Sequence, residues 1–220
     1  MTELPRLFLF DMAGTTVRDD NHVVRAFERT ALSVGLEIDR TWLLSHMGWH
    51  KEAVFAQLLE LAGQPTSRAS ELARGFEDAI EQVFAESPAT ALPTALDTFR
   101  ALEAADIRVG FTTGFTRRTA NHILETLDWQ EHLSVTSDEV EHGRPAPDLI
   151  HEAMRRACVS DVAQVGTCGD TPADLEAGTA AGCAYVIGVG HGTHSLEALA
   201  RYPHTHLFDD LSPLPRLLGL

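Results

Sequence analysis

The feature that most constrains the fold is a short apolar run near the N-terminus that ends abruptly at a carboxylate. Leu7 to Phe10 show no polar alternation, which is typical of a strand buried on both faces of a parallel sheet. Asp11 follows at once, and the turn residue Gly14 comes three positions later. Open α/β sheets bind ligands at the carboxyl ends of their strands. Asp11 is therefore a candidate nucleophile, although a lone aspartate at a strand end also serves as a turn cap.

The chain after this strand divides into a helical part and an alternating part. From Asn21 to roughly Ser87 the apolar residues recur only at helical spacing, with Asn21 as the expected N-cap of the first helix and Gly35 as its end. From Pro93 onward, patterns of helix and strand alternate. The repeated βα units predict an α/β fold with a doubly wound parallel sheet, and the helical block predicts an inserted α-helical cap domain.

The alternating part ends with three elements of defined extent. The patterns predict a strand over Val162 to Thr167, a helix over His194 to Arg201 and a last edge strand over Thr205 to Phe208. We accordingly assign residues 1–17 and 87–220 to an α/β core domain and residues 18–86 to the helical cap domain.

The bulk composition limits the partners and the compartment. The net charge of -15 over 220 residues argues against binding to nucleic acid or to an anionic membrane, because both require clustered basic residues. The N-terminus has no basic region followed by a long apolar segment, and no stretch is long enough to span a bilayer. The three cysteines have no C-x-x-C spacing, as expected in a reducing compartment. We expect a soluble, cytoplasmic protein.

Further polar groups follow the predicted strands. Thr113 and the amide of Gly114 come at the end of the second strand, where they and the next helix start can hold an oxyanion. Arg144 is presented from a loop stiffened by two prolines, and a guanidinium held in this way can neutralise a phosphoryl group. A surface salt bridge is the alternative for Arg144.

Two more carboxylates lie in the stretch G-D-T-P-A-D. Asp170 ends an apolar strand, and Asp174 lies in the first turn of the helix that Pro172 opens. Together with Asp11 they offer oxygen ligands for Mg²⁺. Asp174 alone could instead complement the helix dipole.

Taken in order, the motifs D-x-x-G-T, T-G, G-R-P-x-P and G-D-x-x-x-D resemble those of the haloacid dehalogenase superfamily. The resemblance implies phosphoryl transfer through an aspartyl-phosphate on Asp11, assisted by Mg²⁺. In it Asp170 ligates the metal and Asp174 supports it, while Thr113 and Arg144 bind the phosphoryl group. It also implies a metal site and a substrate site formed at these positions: Asp11, Ala13, Asp170 and Asp174 for the metal, and Ala13, Gly14, Met47, Gly48, Gly114 and Phe115 for the substrate.

One departure from the superfamily pattern points to a subfamily. Most phosphatases of the superfamily carry a general acid two residues after the nucleophile, where this chain has Ala13. General acid–base help contributes on the order of 10²–10⁴ in rate, so a leaving group that needs no acid would explain its loss. The D-x-A-G-T-T sequence resembles the phosphonatase-like group, in which a cap lysine within M-G-x-x-K forms an imine with the substrate aldehyde. Met47 to Lys51 match that motif.

Two positions depart from the phosphonatase pattern. Val54 stands where the pattern has a histidine, and Phe115 where it has a tyrosine; His46 or His50 could substitute as the proton shuttle. Lys51 could also be an ordinary solvated charge at a helix start. The leading hypothesis is hydrolysis of a small phosphonate aldehyde. The alternatives are a small-molecule phosphate monoester phosphatase, similar to phosphoglycolate phosphatase, and an inactive homologue that binds a phosphorylated ligand. The resemblance also implies a homodimer formed through the cap.

Overall fold

The computed structural model describes residues 4–220 and contains a sheet of six parallel strands. The strands are β1 (Leu7–Phe10), β2 (Arg108–Thr113), β3 (Leu133–Thr136), β4 (Val165–Gly169), β5 (Tyr185–Val189) and β6 (His206–Phe208). Their order in the sheet is β3-β2-β1-β4-β5-β6, and every neighbouring pair is parallel. This confirms the α/β fold with a parallel sheet, and β6 is an edge strand as predicted.

Strand β1 is central because both of its faces are apolar. Phe8 and Phe10 pack into the hydrophobic cluster on one side of the sheet, whereas Leu7 and Leu9 pack into the cluster on the other side. Strands β2 and β4 flank β1, so the strand order reverses at β1. In open α/β sheets the crevice at such a reversal, outside the carboxyl ends of the strands, is where ligands bind.

Residues 18–86, which follow β1, contain four α-helices and no strand, and we refer to them as the helical segment. The helices are α1 (His22–Ser33), α2 (Arg40–Ser45), α3 (Lys51–Leu61) and α4 (Ala69–Glu86). Phe27, Phe55 and Phe76 form the buried aromatic centre of this segment, with ring centroids 4.6 to 6.4 Å apart. The segment therefore has an apolar core that is built from its own helices.

Two antiparallel connections join the helical segment to the sheet. Val17 forms a bridge with Ala91, the Arg18 amide donates to the carbonyl of Thr90, and the Leu92 amide donates to the carbonyl of Thr16. The remaining α-helices belong to the part of the chain that contains the other five strands: α5 (Pro93–Ala104), which precedes β2, then α6 (Arg117–Thr126), α7 (Asp148–Ala157), α8 (Pro172–Ala181), α9 (Leu196–Leu199) and α10 (Leu214–Leu217). Within residues 4–220, no helix has both the length and the apolar character needed to cross a membrane.

Several predicted boundaries are wrong. Residues Val162–Gln164 form a 3₁₀ turn, so β4 begins only at Val165 and extends to Gly169. Helix α9 spans four residues instead of the predicted eight, because Gly190 to Ser195 form a loop. Asn21 stands at the N-cap of α1, yet its side chain makes no capping bond; the Asp19 carboxylate accepts the His22 amide at 2.8 Å instead. Helix α10 was not predicted.

Candidate active site

Asp11 lies at the reversal point of the sheet, in the loop that leaves β1. Its amide donates to the Cys168 carbonyl of β4, which continues the ladder one residue beyond the strand. The chain then turns tightly, and Gly14 adopts a positive φ of 87°. A Cβ at Gly14 would collide with the carboxylate of Asp170, so the turn requires a glycine. The side chain of Asp11 is 6% exposed.

Arg144 makes a buried ion pair, which excludes the surface salt bridge. One guanidinium nitrogen lies 2.6 Å from Asp11 Oδ1 and 2.5 Å from Asp174 Oδ1. The other donates to the carbonyl and hydroxyl oxygens of Thr112 at 2.6 and 2.9 Å. A guanidinium held at both ends keeps one orientation, with its charge beside the candidate nucleophile.

Asp170 and Asp174 are both buried behind Asp11. Asp170 accepts the Thr15 hydroxyl at 3.1 Å and the Thr193 amide at 2.6 Å. Asp174 forms a capping box with Thr171 at the start of α8, and its second carboxylate oxygen faces Arg144. Asp174 therefore combines the helix-capping role with an ion pair to the site.

The acidic groups outnumber the basic ones in this buried cluster. Burial raises the pKa of Asp11 to about 7 and that of Asp170 to about 8, and repulsion from neighbouring carboxylates adds to both; Arg144 opposes the rise at Asp11.

Hard carboxylate oxygens with uncompensated charge suit Mg²⁺. In the described part of the chain, no three acidic, histidine or cysteine side chains surround a common point, because Arg144 stands between Asp11 and Asp174. The donor chemistry fits a divalent cation, while the side chains are arranged around the guanidinium.

Thr113 and Gly114 form the second strand end at the site. The Thr113 hydroxyl oxygen accepts the Phe115 amide at 3.2 Å, which leaves the hydroxyl proton free to donate. A Cβ on Gly114 would lie 3.4 Å from the Gly48 carbonyl and 3.5 Å from Lys51 Nζ. The helical segment thus lies directly against this strand end.

Lys51 is the first residue of α3 and is 8% exposed, so it is not a solvated surface charge. Its Nζ lies 5.5 to 5.7 Å from the ring centroids of Phe27, Phe76 and Phe115. We call these three rings the aromatic cage. Burial lowers the pKa of Lys51 to about 8, although the charges of Glu77 and Asp11 oppose the change. An amine with this pKa has a substantial neutral fraction at neutral pH, and the neutral form is the nucleophile.

A small cavity lies between the helical segment and the sheet. Its walls include nine of the predicted site residues: Asp11, Ala13, Met47, Gly48, Lys51, Thr113, Gly114, Phe115 and Arg144. Gly14, Asp170 and Asp174 do not line it. Asp170 and Asp174 lie behind the wall, and Gly14 lines an adjoining polar cavity. The structure therefore brings the candidate amine and the candidate nucleophile to one space.

Some groups at the site were not predicted. Thr193 lies in the loop after β5, and no sequence pattern marks its amide as a partner of Asp170. Phe76 and Glu77 come from α4, whose apolar spacing predicts a helix but not the neighbour it faces. A stronger signal for Lys51 was present in the composition, since the chain has 17 basic residues and Lys51 is the only lysine among them.

The two histidines considered as shuttles have different surroundings. His46 packs against Trp42, with ring centroids 4.3 Å apart, and its Nδ1 lies 2.8 Å from the Trp42 carbonyl. His50 lines a second cavity beside Lys51. Val54 is buried in the core of the helical segment, and Phe115 belongs to the aromatic cage. Neither of these apolar residues can transfer a proton.

Comparisons with known proteins agree with this architecture. A family model described as haloacid dehalogenase-like hydrolase matches residues 8–188. The chain therefore belongs to the haloacid dehalogenase-like hydrolases and is an enzyme of that class. The proposed resemblance to the phosphonatase-like group is also supported, because relatives named phosphonoacetaldehyde hydrolase are among those it matches.

The similarities cover most of the chain at low identity. The phosphonoacetaldehyde hydrolase of Latilactobacillus sakei is 28% identical over 197 residues, covering 83% of this chain and 74% of that protein. A hydrolase structure from Pseudomonas syringae has a TM-score of 0.86 at 21% identity, covering 98% of this chain and 99% of the other. A phosphonoacetaldehyde hydrolase-like protein from Oleispira antarctica has a TM-score of 0.85 at 20% identity, covering 99% and 92%. At these identities, the two structures establish the shared fold alone.

Proposed function

We propose that this hydrolase cleaves the phosphorus–carbon bond of a small phosphonate aldehyde, such as phosphonoacetaldehyde. The observation that carries the proposal is the position of the only lysine in the chain, buried in an aromatic cage on the cavity that also contains Asp11. Burial of an ammonium group costs free energy unless its charge is paired, and burial therefore favours the neutral amine. Carbonyl chemistry uses an amine in this neutral form.

The proposed division of labour follows the two walls of the cavity. We assign residues 18–86 to a cap domain that supplies Lys51, Met47 and Gly48. Residues 1–17 and 87–220 form the core domain that supplies Asp11, Thr113 and Arg144. The two antiparallel connections between the parts can act as a hinge, which would admit substrate when the cap moves away.

In the first proposed step, Lys51 forms an imine with the substrate aldehyde. The amine nitrogen attacks the carbonyl carbon, and the carbonyl oxygen leaves as water after taking up two protons, so that a protonated imine remains. Meanwhile the guanidinium of Arg144, the Thr113 hydroxyl and the Gly114 amide are available to hold the phosphonate oxygens.

In the second step, Asp11 attacks phosphorus. A carboxylate oxygen forms a bond to phosphorus while the phosphorus–carbon bond breaks, and its electron pair moves towards the protonated imine to give an enamine. The departing carbon thus needs no acid at position 13, which is consistent with Ala13. Protonation of the enamine carbon and addition of water then release acetaldehyde, and a second water hydrolyses the aspartyl-phosphate.

We propose Mg²⁺ as the cofactor, held by Asp11 and Asp170 with the Ala13 backbone and supported by Asp174. When bound, the ion would offset negative charge on the transferring phosphoryl group. The raised pKa values of Asp11 and Asp170 and the buried position of all three carboxylates support this assignment.

The test is release of phosphate and acetaldehyde from phosphonoacetaldehyde with Mg²⁺, measured for the native chain and for Lys51→Arg. We expect native turnover and a loss on the order of 10³-fold or more in the variant, because a guanidinium keeps the charge but cannot form the imine. Arg68→Lys, a half-buried change on the helical segment, is the control for a basic substitution.

The rival activity is phosphate monoester hydrolysis, which the same phosphoryl-binding groups could serve. A panel of small phosphate esters, including phosphoglycolate, is measured in parallel. Ester turnover that is indifferent to Lys51→Arg, with no acetaldehyde from the phosphonate, would reject the proposal in favour of the phosphatase. No turnover of either substrate class would favour a binding protein without catalytic activity.

A further inference from the structure

A second cavity also borders Lys51. It opens between α3, α4 and the start of α6. Its walls include Lys51, Glu77 and Thr116, together with His50, Glu52, Ser70, Ala73, Arg74 and Ser137. The proposed imine mechanism leaves this side of the amine unused.

Glu77 is held in this cavity by two hydroxyl groups of α6 and its N-cap. The Thr119 hydroxyl donates to Oε2 at 2.9 Å, and the Thr116 hydroxyl donates to the same oxygen. No described residue donates to Oε1. One carboxylate oxygen is therefore fixed, while the other is free to exchange a proton with a group or a water in the cavity.

Several charged groups surround the Lys51 amine. Glu77 approaches from α4, Asp11 from the end of β1, Asp19 from the connection before α1, and Arg144 from the core. Among these, Glu77 exerts the largest electrostatic effect on Lys51.

The carboxylates other than Glu77 have different partners. Asp11 is paired with Arg144, and Asp19 accepts the His22 amide. On the cavity side, His50, Glu52 and Arg74 also face the space beside the amine. Glu77 is thus the carboxylate that combines proximity to Lys51 with an oxygen that has no hydrogen-bond partner in the described residues.

We propose that Glu77 is the positioning residue of the Lys51 amine, holding its ammonium form in place and exchanging protons with it, through cavity water, during imine formation. Starting from the ammonium form, the nitrogen loses one proton before it attacks the carbonyl carbon and a second after it has added, while the carbonyl oxygen gains two protons and leaves as water. Glu77 takes up each proton from the nitrogen and returns it to the oxygen in turn, so the positive charge of the ammonium is retained on the protonated imine and no redox change occurs. The imine part rests on the proposed function, whereas the coupling between Glu77 and Lys51 does not.

The test measures the reactivity of Lys51 towards acetaldehyde and cyanoborohydride, from about pH 6 to about pH 10. This probe contains no phosphorus, and the product on the only lysine is read by peptide mass spectrometry. Native protein, Glu77→Gln, Glu77→Asp and Glu81→Gln are compared. Glu81 is the matched control, since it also lies on α4 and contacts α6 through Arg118 without lining the cavity.

Glu77→Gln removes a negative charge near the amine. We expect the midpoint of the alkylation profile to move to lower pH by about half a unit or more, and the plateau rate to fall by about tenfold. Glu77→Asp should keep the native midpoint, and Glu81→Gln should match the native protein throughout. Equal midpoints and plateaus in native protein and Glu77→Gln would overturn the inference.

The same experiment separates this inference from the proposed function. A shifted profile in Glu77→Gln, in a protein that does not release acetaldehyde from phosphonoacetaldehyde, would leave the coupling intact and reject the phosphonate chemistry. Phosphonate turnover with an unshifted profile would reject only the role of Glu77. If Glu77→Gln fails to fold, Thr119→Val tests the same coupling, because it removes one of the two hydrogen bonds that hold the carboxylate without removing its charge; a midpoint and plateau equal to those of the native protein in Thr119→Val would reject the inference.

Discussion

The two walls of the main cavity differ in the side chains that they present. The sheet wall carries the carboxylate of Asp11 and the guanidinium of Arg144, and two further carboxylates, those of Asp170 and Asp174, are buried behind it. The helical wall presents a single amine between the rings of Phe27 and Phe76, with Phe115 from the loop after β2 as the third ring and Glu77 beside Phe76 on α4. The sheet wall therefore holds several charged groups together, whereas the helical wall shields the single amine of Lys51 from water.

This difference matches what each reacting group requires. A phosphoryl group carries negative charge, so its site needs fixed cations and donors. An amine nucleophile must be neutral, so its site needs to make the ammonium form unfavourable. A pKa of about 8 in place of 10.5 corresponds to about 3 kcal/mol, and burial of the amine is its largest cause.

The largest expected effect comes from a substitution on the sheet wall alone, which tests whether the two walls act independently. Asp11→Asn keeps an oxygen that can accept from Arg144 but removes the nucleophile, so phosphate release should fall by roughly 10⁴-fold or more. Alkylation of Lys51 by acetaldehyde should persist, because the aromatic cage is unchanged. Phosphate release is measured by a colorimetric assay and alkylation by mass spectrometry. Loss of both activities in a folded variant would mean that the walls are not independent.

Removal of divalent cations is the next largest effect. Chelation should reduce phosphate release on the order of 10³-fold, since the carboxylate cluster would then repel the phosphonate. Mg²⁺ should also raise the melting temperature of the native protein, because it offsets the charge of the buried carboxylates. Asp170→Asn should abolish that increase, whereas Asp97→Asn, at an exposed site on α5, should retain it. A native melting temperature indifferent to Mg²⁺ would contradict the metal assignment.

The helical wall makes a prediction about pH. The alkylation rate of Lys51 should rise with a midpoint near pH 8 in the folded protein. In urea the midpoint should return towards 10.5, because the cage is lost. At pH 7 the folded protein would then have about 300 times more neutral amine than the unfolded chain. A folded midpoint near 10.5 would show that water reaches the amine.

The smallest effect concerns the connection between the walls. His22 is buried at the start of α1, stacks on Phe84 and lies within 2.9 Å of the Ser87 carbonyl. The Asp19 carboxylate, 3.7 Å from Nδ1, raises the pKa of His22 above 6.5. Protonated His22 therefore stabilises the fold fully below about pH 6.5, and this contribution is lost as the pH rises through the folded value.

His22→Asn should accordingly lower the free energy of unfolding at pH 6 by about 1 kcal/mol, with a smaller loss at higher pH. Urea unfolding at several pH values measures the difference. His204→Asn, at an exposed position, should show no comparable pH dependence. A loss that grows with increasing pH would mean that His22 stabilises the fold as a neutral ring.

Much of the sheet wall could be predicted from the sequence. Asp11, Thr113 and Asp170 follow apolar strands, and the carboxyl ends of parallel strands meet at one edge of a sheet. The partner of Asp170 in the loop after β5 could not be predicted, because an amide donor leaves no trace in residue type. Asp174 was expected near the metal, and its capping box follows from its spacing to Thr171.

The helical wall was harder to predict. The motif around Lys51 identified the residue, but the cage around it depends on how α1, α3 and α4 pack, and helical periodicity does not specify which helices face each other. Glu77 was missed for the same reason, because its spacing resembles that of any solvent-facing glutamate on an amphipathic helix. The residue count gave information that the local patterns did not, because the single lysine of this chain, Lys51, lies in the aromatic cage.

The central claim is that Lys51 and Asp11 act on one substrate from opposite walls. The most direct test treats Asp11→Asn with phosphonoacetaldehyde and then with borohydride, and measures the intact mass and the modified peptide. Without the nucleophile the imine should accumulate, so we predict one reduced adduct per chain that retains the phosphonate and lies on Lys51. A folded variant with no adduct on Lys51, or with one only at the N-terminal amine, would contradict the account.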